Sequence, residues 1–196
     1  MRNLLGPLLL AVCIFCNRDG VAAEPDFPAE LTKFDAFCRN PVFGGAGEGH
    51  WDAHIRERGW VLRDGDSWRL WYTGYDGNRA SIKRLGLATS SDGLHWVRHP
   101  KNPLSEDWIE DGMIVPHDGQ FYLFAEGEVD RAVLHVSNDG LHWRSCGTLT
   151  IQGKDGRPLP SGPFGTPTAF HRDGTWHLFY ERRDEGVWLA TSKRYG

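Results

Sequence analysis

Cysteine is scarce in this 196-residue chain, with four in all, which excludes a small domain framed by disulfides. Long apolar runs are as scarce. The run from Leu4 to Cys16 is shorter than the roughly 20 residues a membrane helix needs, and no second one follows. No stretch keeps a helical spacing of apolar residues beyond about two turns, which excludes a helix bundle. Neither sign of charge dominates, since 22 Lys and Arg face 26 Asp and Glu. The chain has no basic stripe to neutralise phosphate, so nucleic acid is not an expected partner. His50, His54 and His117 share no metalloprotease or zinc-finger spacing. Neither a Walker lysine after "GGAGEG" (44–49) nor a Gly-x-Ser-x-Gly elbow occurs. No metal and no cofactor are expected.

What the chain does have begins with an address. Arg2, the apolar run and the small residues Val21-Ala22-Ala23 read as a secretory signal cut before Glu24. Bulky Val12 and Phe15, which precede Cys13 and Cys16, argue against a lipoprotein anchor. The expectation is an exported protein, periplasmic or extracellular, with no membrane attachment after cleavage. Its 173 residues carry 20 basic and 25 acidic side chains, a net charge of −5, and suffice for one domain with a real core. Cys38 and Cys146 remain, and export would allow them to pair.

Glycine and aromatics are plentiful, with 24 Gly and 9 Trp, and they recur in register. "SSDGLHW" (90–96) returns as "SNDGLHW" (137–143). Ahead of each stands another shared unit: "LRDGDSWRLWYTGYD", "VPHDGQFYLFAEGEV" and, a third time, "FHRDGTWHLFYERRD". A further unit follows in "RLGLATSSDG" (84–93), "AVLHVSNDG" (132–140) and "GVWLATSKR" (186–194). Asp-Gly flanked by alternating apolar residues is a hairpin turn. Each repeat is therefore about four short antiparallel strands over some 54 residues, the signature of a propeller blade. "SxDGxxW" is similar to the Asp-box of sialidases but one residue short, and reads as a turn pinning the outer strands. Strands are predicted near 60–63, 67–75, 83–90, 113–117, 120–127, 132–138, 166–172, 175–182 and 186–192.

The fold class expected is all-β, an incomplete five-bladed-type propeller. Residues 1–23 are read as the signal and 24–49 as an N-terminal segment and rim loop. The partial propeller follows at 50–196, with blades at about 50–103, 104–150 and 160–196. The third repeat lacks the "DGLHW" turn and a fourth strand, so the chain is expected to be a truncated product, poorly soluble and of little activity alone.

The segments "HWDAHIRERGW", "DGDSWRLWYTGYDG", "RLGLATSSDGLHW", "IEDGMIV", "FYLFAEGE", "GPFGTPTAF" and "WHLFYERRDEGVWLATSK" resemble five-bladed propeller glycosidases related to family-43 glycoside hydrolases, and more closely a bacterial exported glycosylase group. The resemblance covers about residues 40–194. It implies a carbohydrate substrate and carboxylates around the central axis at the starts of inner strands, acting as base, pKa modulator and acid.

Counting seven residues back from the Asp of each "DG" reaches Glu57, Asp111 and Thr166. Counting eight forward in repeats two and three reaches Glu126 and Glu181. Reflection about each turn pairs Asp111 with Glu126 and Thr166 with Glu181, side by side at roughly 5 Å. Paired carboxylates of this kind suit glycoside hydrolysis. Alternatively, Glu126 and Glu181 pair with nearby Arg131, Arg182 and Arg183. In the resemblance Asp52 is the natural base, with Glu57 the alternative. His50, Trp51, His54 and Arg56 are read with Glu126, Thr166 and Arg182 as sugar contacts. Thr166 stands where the acid of the resemblance would fall, which leaves Glu181 or His54 as substitutes. Two functions follow: a glycoside hydrolase working through Asp52, Asp111, Glu181 and Glu57, or a non-catalytic carbohydrate-binding propeller.

Overall fold

The computed structural model describes residues 34–159, 167–182 and 185–193, with the backbone alone at Glu57 and Arg58. The signal read at 1–23 and Thr166 lie outside the described residues. The chain divides into Met1–Cys38 and Arg39–Gly196, and every described strand belongs to the second unit. Cys38 and Cys146 are exposed free thiols. No described helix is long and apolar enough to cross a membrane.

Three antiparallel sheets follow one another along the chain. The first runs β1 (His54–Asp64), β2 (Ser67–Tyr75), β3 (Arg84–Ser90), β4 (Val97–Arg98). The second runs β5 (Glu110–His117), β6 (Gln120–Glu126), β7 (Ala132–Ser137), β8 (Arg144–Thr148). The third runs β9 (Thr168–Arg172), β10 (Thr175–Glu181), β11 (Val187–Lys193). The first strands are the inner ones, since β1 packs on β5 and β5 on β9. These are three successive propeller blades. Each predicted strand is present; β1 begins at His54, six residues earlier than its pattern implied, because its first half is irregular.

The repeated units explain the hairpins. Asp118 and Gly119 have φ 47° and 72°, and Asp173 and Gly174 have φ 50° and 72°. Two consecutive left-handed residues make a type I′ turn, whose twist matches that of the strands it joins. From these turns the pairing runs in mirror register, His117↔Gln120 to Met113↔Phe124 in the second blade and Arg172↔Thr175 to Thr168↔Phe179 in the third.

The "DGLHW" phrase builds the same knot twice. Asp92 Oδ1 accepts the backbone N–H groups of Leu94 and His95 at 2.8 Å each, and Asp139 Oδ1 does so for Leu141 and His142. In both, Oδ2 lies 2.7 Å from the histidine Nδ1, and the preceding serine hydroxyl accepts the glycine N–H. Asp92 is held well below the usual carboxylate range, chiefly by its His95 side-chain partner and then by the backbone N–H groups. Asp139 is held equally low, with the His142 backbone N–H the largest cause. The second knot also locks blades together: Trp71 Nε1 donates to the Gly140 carbonyl (2.9 Å) and Arg69 Nη1 to the Asp139 carbonyl (2.7 Å).

Two cores fill the spaces between blades. Trp71, Leu85 and Leu87 of the first blade meet Ile109, Ile114, Leu123 and Ala125 of the second. Ala132, Ile151 and Tyr180 join the second blade to the third.

Two outcomes are expected. Gly93 and Gly140 share φ +74°, but a Cβ at Gly140 would lie 2.8 Å from Trp71 Cζ2, whereas at Gly93 nothing comes nearer than 3.9 Å. Gly93→Ala should cost roughly 1–2 kcal/mol for the left-handed backbone, and Gly140→Ala roughly 1–3 kcal/mol more for the clash, read from urea unfolding. Equal costs would mean that the second knot does not lock the blades. The pH dependence follows from the depressed Asp139. Its contribution is complete above the unfolded carboxylate value near 4 and is lost as pH falls toward the lower folded value. The urea midpoint should fall below about pH 5, and less steeply in Asp139→Asn.

Candidate functional site

Both inner strands of the first two blades are irregular at the same place, just inside their N-terminal ends. In β1 the pairing passes from Ile55↔Gly74 to Gly59↔Tyr72, so Arg56, Glu57 and Arg58 stand against Thr73. In β5 it passes from Glu110↔Glu126 to Met113↔Phe124, so Asp111 and Gly112 stand against Ala125. These are β-bulges, which re-aim side chains and recur beside active sites. Asp111 takes φ 49° as the extra residue.

The bulge corrects the reading of the second blade. Asp111 is not opposite Glu126. Mirror register fails at the extra residue, and Glu110 takes that place. A glycine inside a strand pattern, Gly112, was the available sign.

Glu110 and Glu126 are each only 9% exposed. Arg56 Nε lies 3.3 Å from Glu110 Oε2, and Trp108 Nε1 donates to Glu110 Oε1 at 3.0 Å. One carboxylate oxygen from each of Glu110, Glu126 and Asp130 falls within 4.8 Å of the others. Among the described residues these three are the set that could hold a divalent cation. Asp130 sits in a 3-10 turn, Glu128–Asp130, where it and Val129 both have φ 56°. Non-glycine residues in this region cost on the order of 1–3 kcal/mol each and gather at functional sites. Asp111, Val129 and Asp130 place three around one carboxylate cluster.

Asp52 is elsewhere. It is 1% exposed, and its Oδ2 accepts both Arg98 Nε of the outermost strand (2.7 Å) and the Tyr72 hydroxyl (2.9 Å). Burial, then the bond to Asp52, pushes the Tyr72 hydroxyl well above its ordinary pKa. The structure therefore gives Asp52 the environment of an anchor between β2 and β4, without the access to water and substrate that a base requires.

The other expected contacts divide. His50 and Trp51 line a cavity of about 410 Å³ with Asp76, Ser81 and Arg84, none of which the register count had singled out. Trp51 also stacks on Tyr72, with centroids 6.0 Å apart. Asp76 accepts the Asn78 N–H and the Ser81 hydroxyl at 2.9 Å each, which lowers its pKa, the Asn78 bond most. His54 is exposed and leans on Tyr75. Glu181 ends β10 opposite Val187, and the Arg182 guanidinium lies 5.6 Å from the Trp188 ring centre. Arg56 is the expected residue that the structure brings to the carboxylate pair. Trp108 and Glu110 were missed because a bulge cannot be counted across.

No family model matches the chain, and no curated protein does. Solved structures do. The chain is similar to a glycosyl hydrolase from Bacteroides ovatus, at 20% identity and TM-score 0.59, over 74% of this chain and 48% of that one. It is similar to RS223-β-xylosidase at 18% identity and TM-score 0.60, over 74% and 55%. It also matches the GH43_1 enzyme from Xanthomonas citri complexed with xylotriose, at 16% identity and TM-score 0.58, over 73% and 53%. The likeness is one of fold, the propeller of glycoside hydrolases, and the chain spans about half the length of each.

The anchor role of Asp52 has a direct measure. Asp52→Asn leaves Arg98 without its buried partner and should cost on the order of 3 kcal/mol. Arg98→Leu should cost similarly, and the double variant far less than the sum. An Asp52→Asn protein with unchanged urea stability would contradict the anchor.

Proposed function

We propose that the chain carries the carboxylate pair of an exported, glycoside hydrolase-like propeller that cleaves glycosidic bonds of a poly- or oligosaccharide. The observation that carries this reading is the opposed Glu110–Glu126 pair, buried at the bulged mouth of the second blade. Glycoside hydrolysis asks for two carboxyl groups, one giving a proton to the leaving oxygen and one negative toward the sugar carbon or its attacking water. Glu110, with the Arg56 guanidinium beside it, is assigned the role facing the sugar carbon or its attacking water. Glu126, directly opposite, is assigned the proton-donating role, and Asp111 in the β5 bulge is the flanking carboxylate. His50 and Trp51, with Asp76 and Arg84, are assigned to sugar binding in the 410 Å³ cavity. One observation favours the second reading, a carbohydrate-binding propeller without turnover: Asp52, the expected base, is closed off by Arg98 and Tyr72.

Hydrolysis of aryl glycosides and plant polysaccharides, followed as reducing ends released, separates the two. Glu126→Gln and Glu110→Gln should each lower kcat by about 10²–10⁴ while sugar binding persists. Saturable binding with no turnover in the parent protein would establish the binding propeller instead.

A further inference from the structure

An open groove of about 620 Å³ lies between the first and second blades. It starts at Gly127 and Glu128, just past the end of β6, and reaches Ser145 and Thr148 in the outermost strand β8. From β6 to β8 is two strand spacings, roughly 10 Å, which leaves room for more than one sugar ring. We propose that this groove is a subsite for the continuing units of an uncharged oligosaccharide whose scissile bond lies at Glu110 and Glu126, an assignment that rests on the glycosidase reading above.

Continuity with the carboxylate pair comes through Trp108. Its indole N–H is held by Glu110, and the Lys83 ammonium lies 4.5 Å from its ring centre. Lys83 is in turn fixed by the carbonyls of Arg79 and Ser81. Trp108 is thus immobilised while still lining the groove, which suits an aromatic that packs against a sugar ring. The floor is built as firmly. His135 of β7 is 2% exposed, and its Nε2 lies 3.0 Å from Asp107 Oδ2 on the opposite wall. Its Nδ1 is buried and has no described partner, so the Asp107 bond orients the ring and fixes that carboxylate in return. Beside it, the pairing of β7 with β8 shifts between Leu134↔Gly147 and His135↔Ser145, an irregularity that bends the floor where the groove passes.

Charge selects the occupant. Glu106 is taken up by Arg84 at 3.0 Å and Asp107 is held by His135, with Glu128 and Arg131 also on the walls. Uronate or sulfated units would meet these carboxylates without a surplus of cations, a like-charge cost that uncharged units escape. Hydroxyl groups can both donate to Asp107 and Glu128 and accept from Arg131 and Ser145.

Isothermal titration of the full chain tests this with xylobiose, xylohexaose, cellobiose, cellohexaose, galacturonic acid and hexagalacturonate. In at least one neutral series the hexasaccharide should bind about tenfold or more tightly than the disaccharide, and hexagalacturonate should bind no better than galacturonic acid. Ser145→Trp, which fills the groove from the exposed outer strand, should cut that advantage to about twofold or less. Arg131→Ser, which adds no bulk, should reduce it as well, with thermal unfolding confirming that both variants fold. A hexasaccharide advantage that survives both variants overturns the proposal, as does equal binding of di- and hexasaccharide in both neutral series. Tighter binding of hexagalacturonate overturns the choice of an uncharged chain. If glycosides are cleaved in a Glu126-dependent way but chain length has no effect, the groove assignment fails alone. If the length effect and its loss in Ser145→Trp are seen without cleavage, the glycosidase reading fails and the groove stands.

Discussion

A four-stranded sheet with apolar side chains on both faces must cover both, and the second blade does so by packing on the first through one core and on the third through another. Trp71 is the centre of that arrangement. Its indole lies in the core between the first two blades with Ile114 and Leu123, and its N–H is donated to the carbonyl of Gly140. Burying an aromatic of this size is worth a few kcal/mol, and the hydrogen bond removes the cost of a buried unpaired donor. The same contact fixes where the second blade sits on the first. That placement brings Arg56 of one inner strand to Glu110 of the next, so the carboxylate site depends on blade packing as much as on either strand.

In the first two blades, regularity at one end contrasts with irregularity at the other. The type I′ turns at Asp118-Gly119 and Asp173-Gly174 use residues suited to left-handed backbone. At the opposite end, Asp111, Val129 and Asp130 adopt the same region, where β-branched Val129 is poorly suited to it. The bulges at Arg56–Arg58 and Asp111–Gly112 belong to this end as well. Ladder pairing given up there frees side chains from strict alternation, which lets Glu110 and Glu126 face each other while Asp111 is displaced from the register.

The acidic residues consequently fall into two kinds. Asp92 and Asp139 are consumed by local turns, and Asp52 by Arg98 and Tyr72; each has its negative charge met by donors from the fold itself. Glu110 meets Arg56 and Trp108 but also faces Glu126, with Asp130 nearby and Trp108 leading into the interblade groove. The first kind serves architecture, whereas carboxylates set against one another are the arrangement that proton transfer or cation binding uses.

Repetition made the fold legible in the sequence. The thrice-written Asp-Gly hairpins, the alternation around Trp68, Phe121 and Trp176, and the doubled "DGLHW" knot are local patterns. Local patterns determine turns, strands and their order, because hydrogen bonds between neighbouring residues enforce them. The site was legible only in part. Counting from the turns reached Glu126 and placed Asp111 one residue from the pair, but a bulge inserts a residue that no periodic count detects. The burial of Asp52 was not legible at all, since Arg98 lies 46 residues away and the two meet only when β4 closes the blade. Sequence alone thus determined the blades, through short-range pattern. Which carboxylates are buried, paired or left facing one another was decided by tertiary structure, because charge is settled by whatever long-range packing brings within a few ångströms.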